Sequence, residues 1–312
     1  MMTGKWMTRR WFAGAALASV PLMLRAEGLG GPAPIATTND DAGHLSIAVA
    51  INGRGPFRFV VDTGADRSVL ADATAETLGL RPAGVVDLAG IARTVRTGTV
   101  DVASLSFGTM TRRNLSLPVL PRSQLVADGY LGIDMLDDNR VVLDFAHHRL
   151  VVTDPLPSYL NGYLSPELIV LHGQGSGGHL HTAKCSADRI LTRAFIDTGA
   201  ESSMGNEALY RALLASDPSH ASTRTMGLTG LTGGIAIGHL TSLREVRIGR
   251  VILTDCPIAI ADLQVFDIWG LNDRPALLVG MNWLRQFKSV EIDYGRKDLR
   301  FEIGRTRFDI TA

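Results

Sequence analysis

One short sequence occurs twice in the 312-residue chain: Asp62-Thr63-Gly64-Ala65 returns as Asp197-Thr198-Gly199-Ala200. The flanks repeat with it. Phe59-Val60-Val61 leads into the first copy and Ala194-Phe195-Ile196 into the second, and each copy is followed by an acid and then a hydroxyl residue. Further on, Tyr130-Leu131-Gly132-Ile133-Asp134-Met135-Leu136 is matched by Leu278-Val279-Gly280-Met281-Asn282-Trp283-Leu284. A third block sets Val141-Val142-Leu143-Asp144-Phe145 against Ser289-Val290-Glu291-Ile292-Asp293-Tyr294. Three blocks in one order in both halves mark an internal duplication, so whatever one half folds into, the other is expected to repeat.

Between the blocks the pattern is that of strands. Asp87-Leu88-Ala89-Gly90 and Gly227-Leu228-Thr229-Gly230 each run into alternating apolar and polar residues, which implies a hairpin in each half. The 33 glycines favour many short strands joined by turns. Helical signals are few. One stretch runs from Ala71 to Leu80 and stops at Gly79-Leu80-Arg81-Pro82; another runs from Asn206 to Ala215 ahead of Asp217-Pro218. Short helices are expected after Gly132 and Gly280. The breaker-rich Asp154 to Gly162 stretch separates the repeats. The expected layout is a segment 1–26, a linker 27–42, a first lobe 43–154, an interlobe linker 155–165 and a second lobe 166–312.

Segment 1–26 has the form of an export signal, with Thr8-Arg9-Arg10-Trp11-Phe12 before a short apolar run from Ala13 to Leu24. Twin arginines before an aromatic pair resemble the twin-arginine class, which places the protein in a bacterial periplasm. The run is too short for a permanent membrane span, which takes about 20 apolar residues, although an uncleaved signal would tether the chain. Hydrophobic residues at 46% against 20% charged describe a globular chain with a substantial core. Lys plus Arg equals Asp plus Glu at 31 each, with no long basic run after residue 30, so nucleic acid is not an expected partner. Only Cys185 and Cys256 occur, read as two separate buried thiols with a single bridge as the alternative.

The repeated tetrapeptide suits one chemistry. A carboxylate where an apolar strand emerges is partly desolvated, and a second carboxylate beside it makes double ionisation costly, so the pair shares a proton. The ionised member takes a proton from water while the other hydrogen-bonds a substrate carbonyl, which is hydrolysis without metal or covalent intermediate. Thr63 and Thr198 supply hydroxyls to lock the two loops together. Gly64 and Gly199 allow an approach that a Cβ would block. Two half-sites are needed and the duplication supplies both.

On these residues the chain resembles the retropepsin-like and pepsin-like aspartic proteases, especially two-repeat bacterial relatives of retroviral proteases. Ala65 and Ala200 after glycine are similar to the retroviral loop, and Tyr130-Leu131-Gly132 and Leu278-Val279-Gly280 to the family's loop-closing element. The resemblance extends over about residues 43–305. It implies an all-β bilobal acid-protease fold, two similar β-barrel lobes with few short helices, and an aspartic endopeptidase that needs no cofactor or metal. Its partner would be a polypeptide substrate, and the molecule a monomer, since both half-sites lie in one chain. Asp62 and Asp197 would be catalytic, supported by Thr63, Gly64, Ala65, Thr198, Gly199 and Ala200. Asp66 and Glu201 would bind substrate main chain or brace the loops, and Gly90 and Gly230 would lie in flaps. Ile133 and Met281 stand where retroviral enzymes carry Arg, and Glu201 opposite Asp66 breaks the symmetry of the loops. The alternative function is a non-catalytic periplasmic peptide-binding or regulatory module on the same fold.

Other motifs carry less. His172, His179, His181 and Cys185 are read as a surface hairpin in preference to a metal cluster. Ser176 among glycines lacks the G-x-S-x-G spacing of a serine hydrolase. The glycine-rich run from Gly227 to Gly234 is not followed by the Gly-Lys-Ser/Thr of a phosphate loop.

Overall fold

Two closed, barrel-like sheets and a third that joins them make up the computed structural model, which describes residues 33–40, 43–155, 168–173 and 181–303. The expected signal segment and most of the expected interlobe linker lie outside these residues. Residues 32–312 cluster as one unit.

The first half contributes β1 (Ile35–Ala36), β2 (Thr38–Asn39), β3 (Leu45–Ile51), β4 (Arg54–Val61), β5 (Val69–Ala71), α1 (Asp72–Leu78), β6 (Pro82–Ala89), β7 (Thr94–Phe107) and β8 (Met110–Leu120). These are followed by β9 (Gly129–Leu131), α2 (Ile133–Leu136), β10 (Arg140–Asp144) and β11 (Arg149–Thr153). The second half contributes β12 (Leu168–His172), β13 (His181–Ala187), β14 (Ile190–Ile196), β15 (Met204–Gly205), α3 (Glu207–Ser216), β16 (Thr225–Leu228) and β17 (Ala236–Ile248). It ends with β18 (Val251–Ile260), α4 (Gln264–Ile268), β19 (Ala276–Val279), α5 (Met281–Leu284), β20 (Ser289–Asp293) and β21 (Asp298–Glu302).

The first closed sheet runs β2-β3-β4-β9-β5-β8-β7-β6, with β3 also pairing with β7. The second runs β13-β14-β19-β15-β18-β17-β16, with β13 also pairing with β17. Strand for strand from β3 and β13 onward, the orders match. Alternation builds the interiors: Leu45, Ile47, Val49 and Ile51 of β3 all point inward and are buried. Helix α1 stops where Gly79 takes a left-handed φ of 66° and its N–H bonds back to Glu76. Asn206 caps α3 by accepting from the Leu209 N–H, as its position before the helix predicts.

The third sheet, β1-β11-β10-β20-β21-β12, is built from both halves. Its centre is the third repeat block paired with its own copy: β10 lies antiparallel to β20, with Val142 opposite Glu291. Residues 35–39, expected in a linker, supply β1 to this sheet and β2 to the first closed sheet. One face of β10, β20 and β21 carries Val141, Leu143, Val290, Ile292, Leu299 and Phe301 into the main core. The other carries ions. Fully buried Arg300 bonds Glu291 and Asp298, and Arg140 from the first half reaches Glu291 at 2.7 Å.

Candidate active site

Each Asp-Thr-Gly-Ala copy begins where a buried strand runs out. β4 lies parallel to β9 and β14 parallel to β19, so the Asp62 N–H continues its ladder to Leu131 O (2.9 Å) and the Asp197 N–H to Val279 O (3.1 Å). The two aspartates thereby leave equivalent strand ends. Both are only 7% exposed, and each carboxyl lies against the glycine of the opposing loop.

The loops are locked across the halves by the threonines. The Thr63 hydroxyl donates to Ile196 O (3.0 Å) and accepts from the Thr198 N–H (3.1 Å). The Thr198 hydroxyl donates to Val61 O (2.6 Å) and accepts from the Thr63 N–H (3.1 Å). Every one of these groups is buried, so each bond is worth more than a surface one and costly to leave unmade.

The Gly64 N–H bonds Asp62 Oδ1 at 2.9 Å and the Gly199 N–H bonds Asp197 Oδ1 at 2.8 Å, each orienting its own carboxylate. A Cβ on Gly64 would stand 2.4 Å from Asp197 Cγ, and one on Gly199 would stand 2.4 Å from Asp62 Cγ. Only glycine leaves room for the opposing carboxylate. Burial, and then the charge of Asp197, push the Asp62 carboxyl well above the usual range, against the pull of the Gly64 and Ala65 N–H groups.

The loop-closing glycines have an equally direct cause. A Cβ on Gly132 would meet the Arg67 carbonyl carbon at 2.6 Å, and one on Gly280 the Ser202 carbonyl carbon at 2.7 Å. The residues after them tie the loops down: the Ile133 N–H bonds Ala65 O and the Met281 N–H bonds Ala200 O, both at 2.8 Å. Asp66 and Glu201 are exposed beside the pair, and their carbonyls accept from the Asp134 and Asn282 N–H groups.

Two braces were not anticipated. Ser68 donates its hydroxyl (2.7 Å) and its N–H (2.9 Å) to Asp134 Oδ1, while its oxygen accepts from the Gly132 N–H. Ser203 does the same with Asn282 Oδ1, at 2.8 Å for both bonds, and with the Gly280 N–H. The signal was present as a hydroxyl after each tetrapeptide and an Asp or Asn two residues after each loop-closing glycine. Burial raises the Asp134 carboxyl, opposed by its bonds from Ser68 and the nearby Arg67 charge.

Gly90 and Gly230, expected in flaps, are at the tips of two hairpins that meet each other. A Cβ on Gly90 would strike the Thr232 side chain, and one on Gly230 would strike Ile91. Cys185 and Cys256 are separate buried thiols. His179 lies outside the described residues, as do the side chains of His172 and His181, and among the described residues no group of three or more His, Cys, Asp or Glu is placed to hold a metal. No helix among them is long and apolar enough to cross a membrane.

No curated protein matches the chain. The family model described as aspartyl protease matches residues 47–135 and 183–283, more than half of the sequence, with one of the two Asp-Thr-Gly-Ala loops in each matched region. The chain therefore belongs to the aspartyl protease family.

Proposed function

We propose that this protein is an exported aspartic endopeptidase of the two-repeat type, with Asp62 and Asp197 as its catalytic pair between two equivalent barrel lobes, 43–154 and 166–312. The observation that carries the reading is the pair of buried carboxyls, each held by the glycine N–H of its own loop and faced by the glycine of the other. Two such carboxyls retain one proton between them, because ionising both in one buried site is costly.

Hydrolysis then follows. The ionised carboxylate removes a proton from a water held between the pair, and the water oxygen bonds the scissile carbonyl carbon. The protonated carboxyl donates to the carbonyl oxygen, giving a neutral tetrahedral diol. Transfer of a proton to the amide nitrogen lets the C–N bond break, releasing an amine and a carboxylic acid, and the pair is left with one proton again. Asp66 and Glu201, exposed at the loop shoulders, are positioned for the main chain of an extended substrate, and the hairpins of Gly90 and Gly230 cover it. The dyad lies within one chain, so a monomer suffices. Residues 1–26 would deliver it to the periplasm by the twin-arginine route, either cleaved or as a tether.

The test is cleavage of a denatured protein mixture by purified wild type and by Asp62→Asn and Asp197→Asn. Wild type cleaves and each variant loses at least about a thousandfold in rate, as expected when one member of a joint catalytic unit is removed. Equal cleavage by all three would overturn the assignment. Binding of extended peptides without cleavage by any of them would make the protein the non-catalytic module.

A further inference from the structure

The two halves repeat each other in backbone but not in charge. After Asp-Thr-Gly-Ala the first loop continues Asp66-Arg67 and the second Glu201-Ser202, so the cation beside the first carboxyl has no equivalent beside the second. The hairpin tips differ in the same sense: residues 89–94 carry Arg93, and residues 229–234 carry no charge. The segments leading from β8 to β9 and from β18 to β19 open with opposite charges, Arg122 in one and Asp262 in the other. Taken together, residues 65–68, 89–94 and 121–128 have a net charge of +1, and residues 200–203, 229–234 and 261–275 have −3.

These segments border one space. On the second side, the Gln264 N–H bonds Ile91 O of the first tip at 2.9 Å. On the first side, Arg93 and Gln124 converge on Gly233, where a Cβ would stand 2.9 Å from Arg93 Nη2 and 3.5 Å from Gln124 Nε2. The Arg93 cation is therefore beside the segment that carries Arg122.

All three arginines are exposed, and each is held. Arg67 Nη2 donates to Ser116 O (3.2 Å), Arg93 Nε to Thr232 O (2.9 Å) and Arg122 Nη1 to Leu125 O. A carbonyl orients a guanidinium without neutralising it, whereas Arg140 and Arg300 of the third sheet are matched by acids. Oriented cations thus line the first half's side of the site, and exposed Glu201 and Asp262 the second. Within a cleft the low-dielectric walls focus such a field onto whatever lies between them.

We propose that the cleft selects its polypeptide substrate by charge order, favouring an acidic side chain on the side of the scissile bond that crosses the first half and disfavouring one on the side that crosses the second. The proposal rests on the reading of the site as a proteolytic cleft. An extended chain has a direction, so a cleft of unequal charge distinguishes a sequence from its reverse.

Two peptides test this. Both are capped at each end, so that only side chains carry charge, and both share one apolar centre; one places Glu before it and Lys after, the other the reverse. Wild type is expected to cleave one of them with a kcat/KM about tenfold above the other at low salt, as two exposed ion pairs would give. The ratio should fall towards one at ~1 M salt, where the screening length is about 3 Å. Arg67→Gln/Arg122→Gln, which removes two cations and keeps a donor at each position, should reduce the ratio to about threefold or less. Because the ratio compares two substrates on one enzyme, a general loss of activity cancels. Equal cleavage of the two peptides by wild type, or an undiminished ratio in the double variant, overturns the proposal. If neither peptide is cleaved, the charge order is read from their affinities for the protein, and equal affinities overturn it. If a denatured protein mixture also stays intact, it is the proteolytic reading that fails.

Discussion

Gly64 lies so close to Asp197 that a side chain on it would occupy the carboxylate's own volume, with a Cβ 2.4 Å from Cγ. The same holds for Gly199 and Asp62. Gly64→Ala must therefore push the acids apart. The expected result is a folded protein that has lost at least about a hundredfold in kcat, since misplacement by about an ångström costs that much. Circular dichroism checks the fold and a peptide-cleavage assay the rate.

Thr198→Val removes the hydroxyl that satisfies Val61 O and the Thr63 N–H, both buried. Two orphaned backbone groups predict a loss of about 2–4 kcal/mol. Thr198→Ser, which keeps the oxygen, should recover most of it. Urea denaturation measures both; equal stability of the Val and Ser variants would contradict the hydrogen-bonding role.

The pH dependence has a definite sign. Asp62 in the folded protein holds its proton well above the ordinary value of 3.8, so above that value the folded state binds more protons than the unfolded one. Stability then falls as pH rises from about 3.8 through the raised value. Asp62→Asn removes a buried carboxyl whose ionisation both its burial and Asp197 oppose. It should raise the melting temperature at pH 7 by at least about 2 °C, the shift expected for about 1 kcal/mol in a domain of this size, and flatten that part of the stability profile. Calorimetry between pH 3.5 and 7 provides the check.

Asp134 and Asn282 perform one structural task with different chemistry. Asp134→Asn would convert the first brace to the form already used in the second, keeping an oxygen for Ser68 while removing a carboxyl whose burial raises it. Stability at pH 7 is expected to be equal or higher in Asp134→Asn and lower by about 1–3 kcal/mol in Asp134→Ala, which leaves Ser68 without its acceptor. Chemical denaturation distinguishes the two.

Glu291 is the meeting point of Arg140 and Arg300, the latter fully buried. Glu291→Ala leaves the buried Arg300 with Asp298 as its remaining acidic partner and should cost about 1–3 kcal/mol. A loss below 1 kcal/mol in urea unfolding would show that the network is dispensable.

Much of this was readable in advance, because the features that build the site are local. An apolar run, a carboxylate, a hydroxyl and a glycine occur within a few residues at both copies, and Gly79 and Asn206 declare the ends of their helices. The Ser68 and Ser203 braces were less visible, since each joins residues more than sixty positions apart through a side chain common at turns. The third sheet was hidden for another reason. The repeat showed that β10 and β20 correspond, but correspondence carries no information about whether two copies pack against one another. Helix α4 lies in the part of the second half that the repeat does not share, so the alignment that revealed the rest had nothing to offer there.

That third sheet has a mechanical consequence. With β10 hydrogen-bonded along its length to β20, and the threonines interlocked above, the two halves share a rigid floor. The spacing of the acids is set by backbone pairing, out of reach of whatever occupies the cleft. The separation of Asp62 and Asp197 is therefore inherited from folding, as the width of a doorway is inherited from its sill.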